Sequence, residues 1–231
     1  MVNPELGQCE PEEIPNIDGK DVRRRVLNDM KEIGRGESPK TEEDWDLVWV
    51  LSGPPVDIEQ EIDGERNESK DRLETGFNIS REVTALRLGK SIDEINMDDI
   101  LNSGPKIYWN AEDEVNDSLR KKVEDGLLEE KYSFPRENLI ISQNSGIRHT
   151  GHQFRDFPEE LAEHNRKIVI VSDTYHLPRV KRYLRNDDSK ITKEKAVLYP
   201  SNPRIVLPSK AISEIKKIPE YIEKGILPPE Q

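Results

Sequence analysis

Short apolar runs separated by longer amphipathic stretches constrain the fold of this chain more than any other feature. The runs at 46–51 and 167–172 are almost continuously apolar and end abruptly at small or polar residues. Such runs are typical of strands that other elements cover on both faces. Similar segments at 106–110, 138–142 and 196–199 predict three further strands.

Amphipathic stretches fill the intervals between these runs. Apolar residues recur at helical spacing at 69–89, 91–102, 112–130, 150–165, 178–186 and 208–224, with Pro158 interrupting the fourth stretch. Strands that alternate with helices predict an α/β three-layer sandwich with a mostly parallel sheet of about five strands. We assign residues 45–231 to this domain, and residues 1–44 to a polar N-terminal arm followed by a helix at 21–33.

Charge and cysteine content exclude several classes of protein. The chain has 47 acidic and 35 basic residues and a net charge of -12, which disfavours non-specific binding to nucleic acid or to an anionic membrane. Cys9 is the single cysteine, so an intramolecular disulfide and a cysteine zinc cluster are excluded. No apolar run approaches the roughly 18–20 residues that cross a bilayer, and no secretory signal is visible. We therefore expect a cytoplasmic protein whose partner is a small molecule, not nucleic acid or a membrane.

The residues after the fourth predicted strand form the first candidate site. Ser172 ends that strand, and ligands of parallel sheets bind beyond the carboxyl ends of the strands. Pro178 suits the first position of a helix, which would place Arg179 beside backbone N–H groups that favour anions. We expect Arg179 to hold a phosphate or carboxylate group.

His176 and Asp173 are the candidate catalytic residues of the same segment. The positive end of the following helix disfavours an imidazolium ion, so we expect His176 to be neutral unless an anion is bound. A neutral imidazole there could act as a general base or donate to a ligand oxygen. The alternative interpretation is that Asp173 and His176 only cap the helix and satisfy each other.

A second polar segment follows the third predicted strand. Thr150, His152 and Gln153 offer hydroxyl, imidazole and amide groups for a polar ligand. His149 and His152 are three residues apart and would face the same way on a helical turn. With His176 or Asp173 as a third ligand they could hold a metal ion, but two histidines at this spacing are weak evidence, so we assign no metal ligands. The segment could also be a polar helix cap.

Smaller signals lie at the ends of the first two strands. Ser52 and Gly53 follow the first strand, where a glycine lets a ligand approach the backbone closely. The chain has no Walker loop, GxGxxG sequence or GxSxG elbow, so Ser52 is a poor candidate nucleophile. Asn110 ends the second strand. Arg72 or Arg81 could reach back to this edge from the following helix, although exposure is the default for helical charges.

The order of these segments resembles the YdcF/SanA/ElyC family, whose function is largely unknown. The segment 172–179, Ser-Asp-Thr-Tyr-His-Leu-Pro-Arg, is similar to the family's Ser/Thr-x-x-Tyr-His-x-x-Arg element. Leu51-Ser52-Gly53 resembles its first turn, and Arg72-Leu73 resembles its helix-opening arginine. Two elements depart from the pattern. Trp109-Asn110 stands where the family has Ser-Gly, and residues 149–153 replace Asn-Thr-x-Glu-Asn with His-Thr-Gly-His-Gln.

The resemblance covers roughly residues 45–200 and implies a Rossmann-like fold with a pocket at the strand ends. It also implies S-adenosylmethionine or a nucleotide as candidate ligands. The acidic residue of the family's second element is lost at His152, which separates this chain from any catalytic role that depends on it.

We therefore predict a small-molecule-binding α/β protein with an anionic, nucleotide-like or S-adenosylmethionine-like ligand. A transferase or hydrolase reaction stays open, as does the oligomeric state. The predicted ligand-binding residues are Ser52, Gly53, Arg72, Asn110, Thr150, His152, Gln153, Ser172 and Arg179. One alternative is a metal-assisted hydrolase that uses His149, His152 and His176. The other is a non-catalytic interaction module that engages a partner through its acidic surface and residues 1–35.

Overall fold

A five-stranded parallel sheet forms the centre of the protein. The structure, a computed structural model, describes residues 20, 24–29, 38–53, 68–143, 146–185, 189–201 and 208–227. The strands are β1 (Leu47–Leu51), β2 (Lys106–Asn110), β3 (Leu139–Ile141), β4 (Ile168–Ser172) and β5 (Ala196–Pro200). Their order is β3-β2-β1-β4-β5, and every pair is parallel. The predicted α/β fold is confirmed, and the order is that of a Rossmann-like sheet.

Helices connect the strands and cover the sheet. They are α1 (Glu68–Leu88), α2 (Met97–Ser103), α3 (Asp113–Glu124), α4 (Leu127–Tyr132), α5 (Thr150–Arg155), α6 (Glu159–His164), α7 (Leu177–Tyr183) and α8 (Pro208–Glu223), with short 3-10 turns at Ile92–Glu94 and Arg136–Asn138. The single helix predicted at 112–130 is wrong, because Gly126 adopts a φ of 90° between α3 and α4. The interruption predicted at Pro158 is confirmed. Among the described residues, no helix is long and apolar enough to cross a membrane.

The two faces of the sheet pack into separate cores. All five residues of β1 are buried. Leu47, Trp49 and Leu51 point into one apolar cluster, whereas Val48 and Val50 point into the other. This alternation requires helices on both faces, since successive side chains of a strand point to opposite sides. It explains why the strand is apolar at every position.

The helix predicted near the amino terminus packs into the domain. Residues 24–29 are helical, and Val26 is completely buried within the cluster that also contains Ile218 of α8. The Lys181 ammonium on α7 lies 3.2 Å from the Asp29 carboxylate. The predicted boundary at residue 44 therefore divides residues that share one core. Apart from residue 20, the arm predicted at 1–20 lies outside the described residues.

Val26 offers a test of this packing. Val26→Ala removes two methyl groups from a side chain with 0% exposure, and we expect the free energy of unfolding to fall by about 2 kcal/mol. Its neighbour Leu27 is 41% exposed, so Leu27→Ala should have a much smaller effect. Urea unfolding measures both. Equal effects of the two substitutions would contradict the packing of this helix in the core.

Candidate functional site

A cleft of about 300 Å³ opens at the carboxyl ends of β1 and β4. The strand order changes direction between these two strands, because β2 and β3 lie on one side of β1 whereas β4 and β5 lie on the other. Loops that leave neighbouring strands in opposite directions create a crevice at such a point, which is where open parallel sheets bind ligands. The cleft is therefore the candidate functional site.

A buried ion pair between Arg72 and Asp173 underlies the cleft. Arg72 of α1 is 2% exposed. Its Nε and Nη2 atoms donate to Oδ2 of Asp173 at 2.9 and 2.6 Å, and Nη1 donates to the Leu51 carbonyl at 3.0 Å. The Ser201 hydroxyl donates to the other carboxylate oxygen of Asp173 at 2.8 Å. The pair thus connects α1 with the ends of β1, β4 and β5.

Arg72 remains charged in this buried position. Burial, the largest single influence, lowers the pKa of Arg72, but the charges of Asp173, Tyr175 and Glu68 and the hydrogen bond to Asp173 together outweigh it, and the net shift is upward. Asp173 does not line the cleft, and its carboxylate is occupied by Arg72 and Ser201. Its side chain therefore anchors Arg72, and the catalytic role expected for Asp173 stays a prediction.

Glu68 and Tyr175 extend this network into the cleft. The Tyr175 hydroxyl donates to Oε2 of Glu68 at 2.7 Å, and the same oxygen lies 3.5 Å from Nη2 of Arg72. Burial raises the pKa of Tyr175 well above its usual range, so the phenol stays protonated. Glu68 was missed by sequence reasoning. Its spacing of four residues from Arg72 on a helix is the signal that could have identified it.

His176 is held between two hydroxyl groups. Its Nδ1 atom lies 2.7 Å from the Ser172 hydroxyl, and its Nε2 atom lies 3.0 Å from the Thr150 hydroxyl. The alternative in which the side chains of Asp173 and His176 satisfy each other is wrong. The backbone carbonyl of Asp173 accepts the His176 N–H at 2.8 Å, but its carboxylate bonds elsewhere.

The predicted neutrality of His176 is confirmed, but its main cause is different. The pKa of His176 lies well below its usual value, first because the ring is buried and then because Arg179, Arg72 and Lys217 are nearby. The ring is 4% exposed and reaches the cleft at one edge.

Gln153 forms part of the cleft floor through its side-chain amide. Its Nε2 atom donates to the Ser52 hydroxyl at 3.0 Å and to the Asn110 carbonyl at 2.7 Å. Asn110 itself lies below the floor. Its amide donates to the Gln153 carbonyl at 3.1 Å and accepts from Nε1 of Trp49 at 2.8 Å. Asn110 is fully buried, and both polar atoms of its side-chain amide are hydrogen-bonded. It was predicted to bind a ligand, but it does not line the cleft.

The rings of the two neighbouring histidines lie close together in a tilted arrangement. The ring centroids of His149 and His152 are 3.7 Å apart, and Nδ1 of His152 accepts the Arg148 N–H at 3.3 Å. His149 lines the cleft and His152 does not. Burial, followed by the charges of His152 and other neighbours, lowers the pKa of His149. In the part of the chain that the structure describes, no group of three or more His, Cys, Asp or Glu side chains could hold a metal ion.

Arg179 reaches the cleft already paired. Its Nε atom lies 3.2 Å from Oε2 of Glu214, and its guanidinium carbon is 5.7 Å from the Tyr221 ring centroid. Burial raises the pKa of Glu214, and the charge of Arg179 opposes that shift. A ligand anion at Arg179 would therefore share the guanidinium with the Glu214 carboxylate.

Helix α8 supplies one wall of the cleft, which sequence reasoning missed. Lys210, Glu214, Lys217 and Tyr221 all line it. Their separations of four, three and four residues place them along one helical stripe, so this spacing was the available signal. The stripe could not be linked to the strand ends without knowledge of how α8 packs.

The structure brings together most, but not all, of the predicted site residues. Those that line the cleft are Ser52, Gly53, Arg72, Thr150, Gln153, His176 and Arg179. Asn110, His152, Ser172 and Asp173 lie outside the lining, because their side chains contact other protein groups. Arg81 faces away and bonds the carbonyls of Tyr132 and Ser133.

Comparison of the chain with protein-family models, curated protein sequences and solved structures finds no match. The resemblance of 172–179 to the YdcF/SanA/ElyC pattern therefore stays a prediction. Functional inference begins from the chemistry of the cleft.

The Arg72–Asp173 pair predicts a large effect of a small substitution. Asp173→Asn keeps the shape of the side chain but leaves the buried Arg72 charge without its main partner. We expect the free energy of unfolding to fall by about 3 kcal/mol or more, measured by urea unfolding. Asp117→Asn, which breaks an exposed ion pair with Arg120, should change it little. Similar effects of both substitutions would contradict the structural role of the buried pair.

The environment of His176 predicts a pH dependence. An unfolded histidine takes up a proton near pH 6.5, whereas folded His176 does not, because its pKa is lowered. Stability contributed by the neutral ring is thus present above about pH 6.5 and is lost as the pH falls below it. In NMR spectra, the His176 ring signals should not titrate between about pH 7.5 and pH 5.5. A titration midpoint at or above the usual histidine value would overturn the assignment.

Proposed function

We propose that this protein binds a small anionic ligand of the phosphorylated, nucleotide-like class in the cleft between β1 and β4. One observation carries the proposal: the cleft concentrates basic side chains in a chain of net charge -12. Five basic residues line it, namely Arg72, Arg148, Arg179, Lys210 and Lys217, against the acidic residues Glu68, Glu112 and Glu214. Because acidic residues are in excess in the chain as a whole, this local excess of basic side chains favours the binding of anions in the cleft over binding elsewhere on the surface.

Two of these cations are available to a ligand. Arg72, Arg179 and Lys210 lie near carboxylates of the protein. Arg148 and Lys217, by contrast, have no carboxylate within ion-pair distance among the described residues, and both are exposed. They line the same cleft, one at the start of α5 and the other on α8. A multiply charged group could contact both, and guanidinium and ammonium groups are the usual partners of phosphate.

The remaining lining suits a small organic ligand. A volume of about 300 Å³ lies at the lower end of small-molecule pockets. Tyr175 and Tyr221 add aromatic surface, and Ser52, Thr150 and Gln153 add neutral polar groups. S-adenosylmethionine carries an anionic carboxylate but also a positive ammonium and a positive sulfonium, which the excess of cations in the cleft disfavours. A nucleotide or another phosphorylated metabolite therefore fits better.

Calorimetry with defined probes tests this function. We expect binding of ADP, AMP or inorganic phosphate by the full chain, and weaker or absent binding of adenosine and S-adenosylmethionine. Arg148→Ala and Lys217→Ala should each lower the affinity for the charged probes about tenfold, because each removes a charged hydrogen-bond donor.

Matched substitutions control for the change in net charge. Lys216→Ala lies on the same helix and outside the cleft lining, and Arg166→Ala lies beside the amino end of β4. Both should leave probe affinity unchanged. Absence of binding by the wild type, or equal losses in cleft and control variants, would refute the proposal.

A further inference from the structure

A chain of hydrogen bonds leads from the interior of the sheet to the cleft. It runs from the Ser172 hydroxyl to Nδ1 of His176, at 2.7 Å, and from Nε2 of His176 to the Thr150 hydroxyl, at 3.0 Å. Ser172 is 0% exposed and lies outside the cleft lining, whereas Thr150 lines the cleft. This series of hydrogen bonds therefore has one end, Ser172, that is shielded from solvent, and another end, Thr150, that borders the cleft.

The direction of the protons in this chain follows from the needs of its two ends. A neutral imidazole has one N–H donor and one acceptor nitrogen, so it donates to one hydroxyl and accepts from the other. If Nδ1 carried the proton, the Ser172 hydroxyl proton would need another acceptor. The only side-chain hydrogen bond of Ser172 in the described part of the chain is the one to His176.

The opposite direction leaves no buried donor without a partner. Ser172 then donates to Nδ1, and Nε2–H donates to the oxygen of Thr150. The Thr150 proton is the one left over, and it lies at the cleft, where water or a ligand can accept it. Because a buried donor without a partner is costly, this arrangement is favoured by about tenfold or more.

We propose that His176 is a positioning residue: it accepts from Ser172, donates to Thr150, and thereby directs the Thr150 hydroxyl proton into the cleft as a donor to a phosphoryl oxygen. The inference rests on the proposed function and names the group that the cleft recognises. It replaces the general-base role expected for His176, since the acceptor nitrogen of the ring is already used by a buried hydroxyl.

The surroundings of Thr150 fit an unprotonated oxyanion. Arg148 precedes Thr150 by two residues, and the cations Arg179 and Lys217 are close enough to His176 to depress its pKa. The same cations attract an anion. A hydroxyl with a fixed donor direction adds the preference for an acceptor atom, which separates phosphate from a cationic or purely donating group.

The first experiment measures the tautomer directly and needs no ligand. In the full chain labelled with ¹⁵N-histidine, the His176 signals should show a protonated Nε2 and an unprotonated Nδ1, with assignment from the missing signals of His176→Gln. A protonated Nδ1 with an unprotonated Nε2 would overturn the proposal.

The second experiment removes the donor. With inorganic phosphate and ADP as probes in calorimetry, Thr150→Val should lower the affinity by about 10- to 100-fold, whereas Thr150→Ser should stay within about threefold of the wild type. Thr84→Val is a matched control, because Thr84 is a buried threonine whose hydroxyl donates to the Ser80 carbonyl in α1. It should leave the affinity unchanged. Wild-type affinity in Thr150→Val would refute the donor role while leaving the proposed function intact.

The third experiment tests the chain through its remote end. Ser172→Ala should lower phosphate affinity several-fold and produce a mixture of His176 tautomers, although Ser172 does not line the cleft. Ser80→Ala is the matched control, since its buried hydroxyl donates to the Pro105 carbonyl far from His176. If Ser172→Ala changes neither the His176 tautomer nor the phosphate affinity, Ser172 does not set the direction of the Thr150 hydroxyl through His176. If the wild type binds neither probe, the proposed function and the phosphate assignment both fail, and the tautomer measurement still decides the direction of the chain.

Discussion

The ion pair between Arg72 and Asp173 is the interaction on which the cleft depends. Arg72 belongs to α1 and Asp173 follows β4, yet they meet beneath the cleft because β1 and β4 are neighbours in the sheet. A charge buried in this way is stable only while its partner is present. The pair therefore fixes the relative positions of the loops that leave the two strands, and those loops contribute Ser52, Gly53, Tyr175 and His176 to the cleft lining.

The sheet was predictable because its physical requirement is local in sequence. A strand covered on both faces must be apolar at every position, and this is visible at 46–51 and 167–172. The single helix predicted at 112–130 was wrong because the break between the two helices depends on backbone conformation and not on apolar spacing. The apolar spacing there continues across Gly126, and only the backbone of that glycine shows that the helix ends and restarts.

The site was only partly predictable because polar residues at a strand end have several equivalent uses. Ser52, Thr150 and His176 lie at the cleft as their positions suggested. Asp173 and Asn110 have the same kind of sequence context, but they support the site from below. Sequence spacing cannot distinguish a side chain that faces a ligand from one that faces a buried arginine or amide. The contribution of α8 depends on how this helix packs against distant parts of the chain, and no local sequence pattern shows that packing.

The carboxylates of Glu68 and Glu214 already lie near Lys210 and Arg179, at 3.6 and 3.2 Å. A ligand anion that contacts Lys210 or Arg179 would have to replace the carboxylate of Glu68 or Glu214, since neither cation lacks an ion-pair partner. The net gain is then the difference between two ion pairs, which is small for a ligand with one negative charge. Ligands with two or more charges can bridge several cations at once. If the cleft binds the proposed anion, the carboxylates of Glu68 and Glu214 would favour ligands with more than one negative charge at these two positions.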